Sequence, residues 1–224
     1  MTQNASTKPP AAQTPQAQTS STPPAPEPAD GSPFKPEVRK VAIRLHTGMI
    51  RGLLSRIDYQ DTFEAELPQG CTLPLHVLAH HMFAHSPKAV ERLMRLRDMI
   101  VGPLGLKTAD KAAHTRGTYA QDGESGKAGD TLPEPAIDDR LGIFRLVHKE
   151  ENLLLFKESD THLDFVLALE RITENGTENR ADKLRLSTCV RFNNALGRTY
   201  FLVVRPFHER IVPLCMREGL ERIR

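Results

Sequence analysis

The hydrophobic period of this chain changes from two to about 3.6 residues at positions 193 and 194, and this change restricts the fold more than any other feature. Before it, short alternating segments at about 142–149, 152–158, 161–171 and 183–193 read as successive strands. "TENGTENRAD" supplies the turn between the last two, with Asn175 and Gly176 as its hairpin signal. After it, Leu196, Tyr200, Val203, Val204, Phe207, Ile211 and Leu214 fall on one narrow stripe at helical spacing. Asn193 or Asn194 is placed to cap that helix. Pro206 and Pro213 each remove one backbone hydrogen bond, so a kink or a break is expected. A series of strands followed by one long helix is an α+β arrangement.

Upstream, "IDYQDTFEAELP" reads as a further strand. Ile57, Tyr59, Phe63, Ala65 and Leu67 share one parity, Asp58, Gln60, Thr62, Glu64 and Glu66 the other, and Pro68 and Gly70 end it. Two short helices are expected next. The first covers about 74–84; the second opens at "SPKAVERL", with Ser86 as N-cap and Pro87 in the first helical position, and ends near Gly102. Residues 107–139 are polar and contain glycine, and read as a long loop insertion. Residues 1–33, rich in Pro, Ala, Gln, Thr and Ser, bury too little to offset chain entropy and are expected to be a disordered tail. Residues 34–56 form a basic amphipathic lead-in, carrying Lys35, Arg39, Lys40, Arg44, Arg51 and Arg56 against Glu37, and the folded domain is expected over 57–224.

Composition excludes several classes. The net charge of +2 is too small to argue for nucleic acid, which is not expected as a partner. Three widely spaced cysteines without a CxxC pair indicate neither a disulfide framework nor a zinc knuckle, and point to a reducing compartment. No apolar run approaches the roughly 20 residues of a membrane span. No apolar stretch of secretory type opens the chain, so a cytoplasmic protein is expected.

Few polar residues stand out of pattern. In "ESDTHLDF", Asp160, His162 and Asp164 occupy alternate positions, with Leu163, Phe165, Leu167 and Leu169 on the opposite parity. On one strand the trio would share a face, as an acid–base pair, a ligand anchor or an ordinary wet side. Neighbours two apart diverge by roughly 6.6 Å, so at most two could share a metal, and no metal is expected. Arg97 lands within the apolar face of Val90, Leu93, Met94, Val101 and Leu104, where a guanidinium needs a carboxylate, a snorkelling path or an anionic ligand. Tyr200 sits central on the final stripe with His208 and Phe201 flanking it, while Arg198 and Arg205 lie opposite and read as solvated. His76 with His80, and His81 with His85, have i,i+4 spacing, but no HExxH pattern accompanies them and they read as exposed helix histidines. No Gly-rich phosphate loop, GxSxG elbow or Cys–His signature is present.

"DYQDTFEAELP", "LMRLRDMIVGPLGLK", "SDTHLDF" and "NALGRTYFLVVRPFHERIV", in that order, resemble the bacterial family catalogued as domain of unknown function 2867, over residues 57–217. The resemblance implies a helix-grip fold of Bet v 1-like or START-like type. In that fold a strand and two helices precede a curved antiparallel sheet, and a long C-terminal helix crosses the sheet. The chain departs from it in having fewer recognisable strands, so the 107–139 insertion holds one or the sheet is smaller. Carried over by position, Arg97, Asp160, His162, Asp164, Arg198, Tyr200 and His208 are the residues of interest.

Three functional readings follow. The first is a module binding a small hydrophobic molecule between the long helix and the sheet, with Tyr200, Val203, Phe207 and His208 lining the cavity and Arg97 or His162 at the polar end. The second is an enzyme of cyclase, hydrolase or isomerase type, with His162 as general base oriented by Asp160 or Asp164. The third is a structural or partner-binding domain, with peripheral membrane contact through residues 35–56. None implies a cofactor.

Overall fold

A computed structural model describes residues 34–42, 47–83, 132–141, 144–173 and 182–223. Its elements in chain order are β1 (Val38–Lys40), α1 (Thr47–Leu53), β2 (Tyr59–Glu66), α2 (Leu75–Phe83), β3 (Arg140–Leu141), β4 (Phe144–Glu150), β5 (Leu153–Ser159), β6 (Leu163–Ile172), β7 (Lys183–Phe192) and α3 (Ala195–Glu221). The strands pair antiparallel in one seven-stranded sheet, ordered β1-β2-β7-β6-β5-β4-β3. The first long strand, β2, therefore lies beside the last, with Tyr59 opposite Val190 and Asp61 opposite Thr188. All described residues belong to the unit Pro33–Arg224. The tail over 1–33 and the helix expected from Ser86, with Arg97, lie outside the described residues.

Alternation of side chains gives the sheet two faces, and both are apolar at their centres. On one, Phe63, Ala65, Leu154, Phe156, Leu167, Leu169, Leu184 and Leu186 pack under α2 and the second half of α3. Fully burying a leucine or methionine contributes about 1.5–3 kcal/mol, so this larger cluster carries most of the stability. On the other face, Leu153, Leu155, Val166, Ala168 and Cys189 are covered by Ile50 and Leu54 of the α1 region. The rim of that second face is ionic. Asp164 pairs with Arg191 at 2.5 Å, and Arg185 with Glu64 at 2.5 Å and Glu170 at 3.7 Å.

Four expectations are corrected here. The lead-in is a three-residue strand followed by a two-turn helix, with Gly48 and Gly52 inside the helix. The sheet is larger than the alternation suggested, because β1 and β3 span three and two residues, too short to show a period. His80 is buried rather than exposed, since α2 is enclosed on several sides and also buries Leu75, Val77, Leu78, Ala79 and Met82. Finally, of the kink or break expected at Pro206 and Pro213, the break does not occur, since α3 runs unbroken through both. Each proline costs the helix a single backbone hydrogen bond, and Leu202, four residues before Pro206, lies on the exposed side of α3.

The orientation of α3 also differs from the stripe read in the sequence. Its buried residues are Gly197, Phe201, Val212, Met216, Gly219 and Leu220, about a third of a turn from that stripe. Tyr200, Val203, Phe207, Ile211 and Leu214 are half-buried. The reason is close packing at two glycines. A Cβ on Gly197 would stand 1.9 Å from the carbonyl oxygen of His162, and one on Gly219 2.7 Å from Cγ of Met82. The helix approaches its neighbours where side chains are missing, which a count of large apolar residues does not reveal.

Candidate functional site

The turn between β5 and β6 decides what becomes of "ESDTHLDF". Strand pairing ends at Ser159 opposite Asp164, so Asp160, Thr161 and His162 form the turn. The Asp160 carboxylate accepts from the Thr161 N–H at 2.7 Å, as short polar side chains do in turns. Asn193 and Asn194 then tie the turn to the start of α3. The Asn193 side-chain amide donates to the Asp160 carbonyl at 2.9 Å, and that of Asn194 to the Thr161 carbonyl at 3.1 Å. The oxygen of Asn194 meanwhile caps the helix, accepting from the Gly197 N–H at 2.9 Å. His162 contributes its carbonyl to this seat, accepting from the Asn193 N–H at 2.9 Å. Asp164 alone of the trio is on the strand, on the α1 face, where it is buried beside Arg191. The trio is therefore split between a turn and one face of a strand.

A different polar group occupies the face that carries α3. Asp61 of β2 has the parity of Phe63 and Ala65, and its side chain is fully shielded from solvent. A lone ionised carboxylate there would be very costly, so its partners define the site. The Tyr59 hydroxyl donates to Oδ2 at 2.7 Å. Nε2 of His208, on α3, lies 3.2 Å from Oδ1 and 3.1 Å from Oδ2. Tyr59 and His208 are also in edge contact, with centroids 6.2 Å apart. Burial by itself would raise the Asp61 pKa, but the His208 and Tyr59 hydrogen bonds, with His208 and Lys40 nearby, outweigh it and hold the carboxyl below its usual range. Burial and the bond to Asp61 push the Tyr59 phenol well above its usual range, so it remains a donor.

An outer layer of charge surrounds this core. Glu209 accepts from Lys40 at 3.0 Å and from Arg205 at 3.1 Å, and its Oε1 lies 3.4 Å from the Tyr59 hydroxyl. The Arg205 guanidinium stands over the Tyr59 ring at 5.3 Å. Inward from Tyr59, Phe201 and Phe192 complete an aromatic cluster, with centroids 4.6 Å apart for Tyr59–Phe201 and 5.3 Å for Phe192–Phe201. Across the strand pair from Asp61, the Thr188 hydroxyl is buried and has no hydrogen-bond partner among the described residues.

Of the candidate site residues that are described, His208 bonds directly to Asp61. Tyr200, Val203 and Phe207 lie half-buried on α3, away from the line of its most buried residues. Asp61 and Tyr59 were not among the candidates. The signal was present, because Asp61 is the only carboxylate on the apolar parity of its strand. Among the described residues, no group of three or more His, Cys, Asp or Glu side chains could hold a metal ion. No helix among them is long and apolar enough to cross a membrane.

The family model described as "Protein of unknown function (DUF2867)" matches residues 53–215, and the chain belongs to that family. No curated protein and no solved structure matches the chain.

Proposed function

We propose that this member of the DUF2867 family is a helix-grip module that binds a small, largely apolar molecule between α3 and the sheet, with the Tyr59–Asp61–His208 group meeting its polar end. The strand order supports the helix-grip reading, since the first long strand joins the last and a long helix follows it. One observation carries the binding reading: apolar side chains stay half-buried on the sheet face that also holds the buried Asp61, and on the helix that lies over that face. On the sheet these are Phe144, Leu163 and Phe165; on α3 they are Val204, Phe207 and Ile211. Arg205 and Glu209 reach toward β1 and β2, so the flank bearing Phe207 faces away from that edge. Apolar walls with one fixed polar group suit an amphipathic ligand.

The test is native mass spectrometry of the full chain purified without denaturation. An adduct lost on denaturation is expected, with occupancy reduced about tenfold in Phe207→Glu, because a charge on the apolar wall opposes apolar contact. A bare mass, together with no thermal shift on adding a hydrophobic probe such as anilinonaphthalene sulfonate, would sink the reading.

A second reading rests on the histidine itself. Among the described residues no hydrogen-bond partner meets Nδ1 of His208, while Asp61 holds Nε2. A carboxylate orienting one ring nitrogen and leaving the other for substrate is the geometry of general-base catalysis. In that reading His208 with Asp61 replaces His162 with Asp160 or Asp164 as the acid–base pair.

A further inference from the structure

Two hollows open at the end of the sheet where α3 begins, and they share Arg56 as a common wall. One, of about 670 Å³, is lined by residues that include Arg51, Ser55, Ile57 and Asp58; the other, of about 390 Å³, includes Phe192, Arg198 and Thr199. Arg56 is tethered between them by hydrogen bonds. Its Nε donates to both Asp58 oxygens, at 3.0 and 2.9 Å, and its Nη2 donates to the Phe192 carbonyl. Asp58 is in turn fixed by the Phe192 N–H at 2.7 Å. Burial tends to raise its pKa, but that N–H, Arg56 and the more distant Arg198 hold the carboxyl below its usual range.

Charge is left over at this place. Three guanidinium groups line the paired hollows against one carboxylate, which leaves two positive charges. Arg51 and Arg198 are exposed, and among the described residues no carboxylate pairs with either side chain. They come from separate elements, the last turn of α1 and the first turn of α3, so the excess belongs to the tertiary arrangement. A single carboxylate ligand would neutralise half of it. A phosphate monoester, at about −1.5 to −2 near neutral pH, matches the whole, and guanidinium groups suit its oxygens. Ile57 supplies apolar wall beside the charge, and Phe192 lines the second hollow.

We propose that the paired hollows around Arg56 are a binding site for a phosphate monoester carried on an apolar or aromatic body, with Arg51, Arg56 and Arg198 as its cationic contacts. Tyr59 lines the first hollow and also donates to Asp61, but the three cationic contacts lie outside the Asp61–His208 group, and the site stands whether or not that group binds a ligand. Its donors form no catalytic set, and recognition is the whole of the assignment.

The test uses the full chain, titrated with phenyl phosphate and followed by amide chemical shifts and calorimetry. Saturable binding is expected, with shifts concentrated at residues 55–60 and 192–199. Arg51→Ala and Arg198→Ala should each weaken it at least about tenfold, and Arg198→Lys less, as loss of one of several charge-assisted contacts implies. These two exposed positions leave the fold intact, whereas Arg56→Ala also removes the Asp58 and Phe192 ties and is read only beside a thermal melt. Phosphatidylcholine vesicles bearing phosphatidic acid, compared with vesicles bearing phosphatidylglycerol at equal charge, separate a lipid source from a soluble one. Binding confined to phosphatidic acid and lost in both variants supports the site, with a headgroup as its occupant. Unchanged affinity in both variants overturns it. So does the absence of saturation by about 10 mM phenyl phosphate together with equal binding to both vesicles.

Discussion

The two halves of α3 meet the same sheet and solve different problems. From Val212 onward the helix is dry: Val212, Met216 and Leu220 enter the main core, and Gly219 lets the backbone close on Met82 of α2. From Ala195 to Glu209 one buried aromatic, Phe201, packs on Val190 and Phe192, and polar contacts frame it: a capped first turn seated on the His162 carbonyl, then His208 against Asp61, then Glu209 between two cations. Apolar contact is non-directional and tolerates sliding, whereas hydrogen bonds to a buried carboxylate hold only one register. The dry half supplies adhesion and the polar half sets where along the sheet the helix stops.

The largest loss is expected in the dry half. Met216→Ala removes a fully buried side chain and should cost about 4 kcal/mol in urea unfolding. In the polar half the counterpart is steric. Gly197→Ala must displace either the helix or the β5–β6 turn, because a backbone oxygen cannot yield as a side chain can. About 3 kcal/mol is expected, more than Gly219→Ala, whose nearest neighbour is the flexible Met82 side chain. Equal costs at the two glycines would blur the comparison.

His208→Ala leaves Asp61 buried with the Tyr59 hydroxyl alone, and should cost about 2 kcal/mol. Combining it with Asp61→Leu should recover part of that loss, because the buried charge is gone and the Tyr59 hydroxyl still has Glu209 within reach. A double variant as unstable as the single would show that His208 matters by packing instead.

The pH dependence sharpens the same point. The Asp61 pKa is lowered on folding from an ordinary value of 3.8, so its contribution is complete above about pH 4 and is lost as pH falls through the folded value. The melting temperature should fall with acid below about pH 4, and less steeply in Asp61→Asn. The smallest effect concerns the thiols. Burial pushes Cys189 up to about 12 and Cys215 up to about 11, so alkylation of the native protein near neutral pH should fall on partly exposed Cys71 and spare Cys189.

The long strands were legible because each buries at least one face, which writes a period of two into the sequence. The alternation at 183–193 corresponds to β7 within one residue, and that at 152–158 to β5. α2 was legible from its length and apolar content. β1 and β3 were not, because two or three residues cannot display a period. At the site, His208 could be named as a polar residue beside an apolar stripe. Asp61 needed one more step, the recognition that a carboxylate on the apolar parity must find its partner in another element. "ESDTHLDF" misled for the converse reason: Asp160 and His162 keep the alternation of a strand after the strand has ended.

What this sequence determines by itself is local and periodic: which segments are strands, where the last helix is capped, and which of its residues are apolar. Those properties depend on neighbours within a few positions, where backbone geometry alone decides who faces whom. The rotation of α3, the meeting of Asp61 with His208 across 147 positions, and the gathering of Arg51, Arg56 and Arg198 from separate elements belong to the tertiary structure. They depend on how closely two backbones approach, and that is settled by glycines at Gly197 and Gly219, whose effect lies in the side chain they lack.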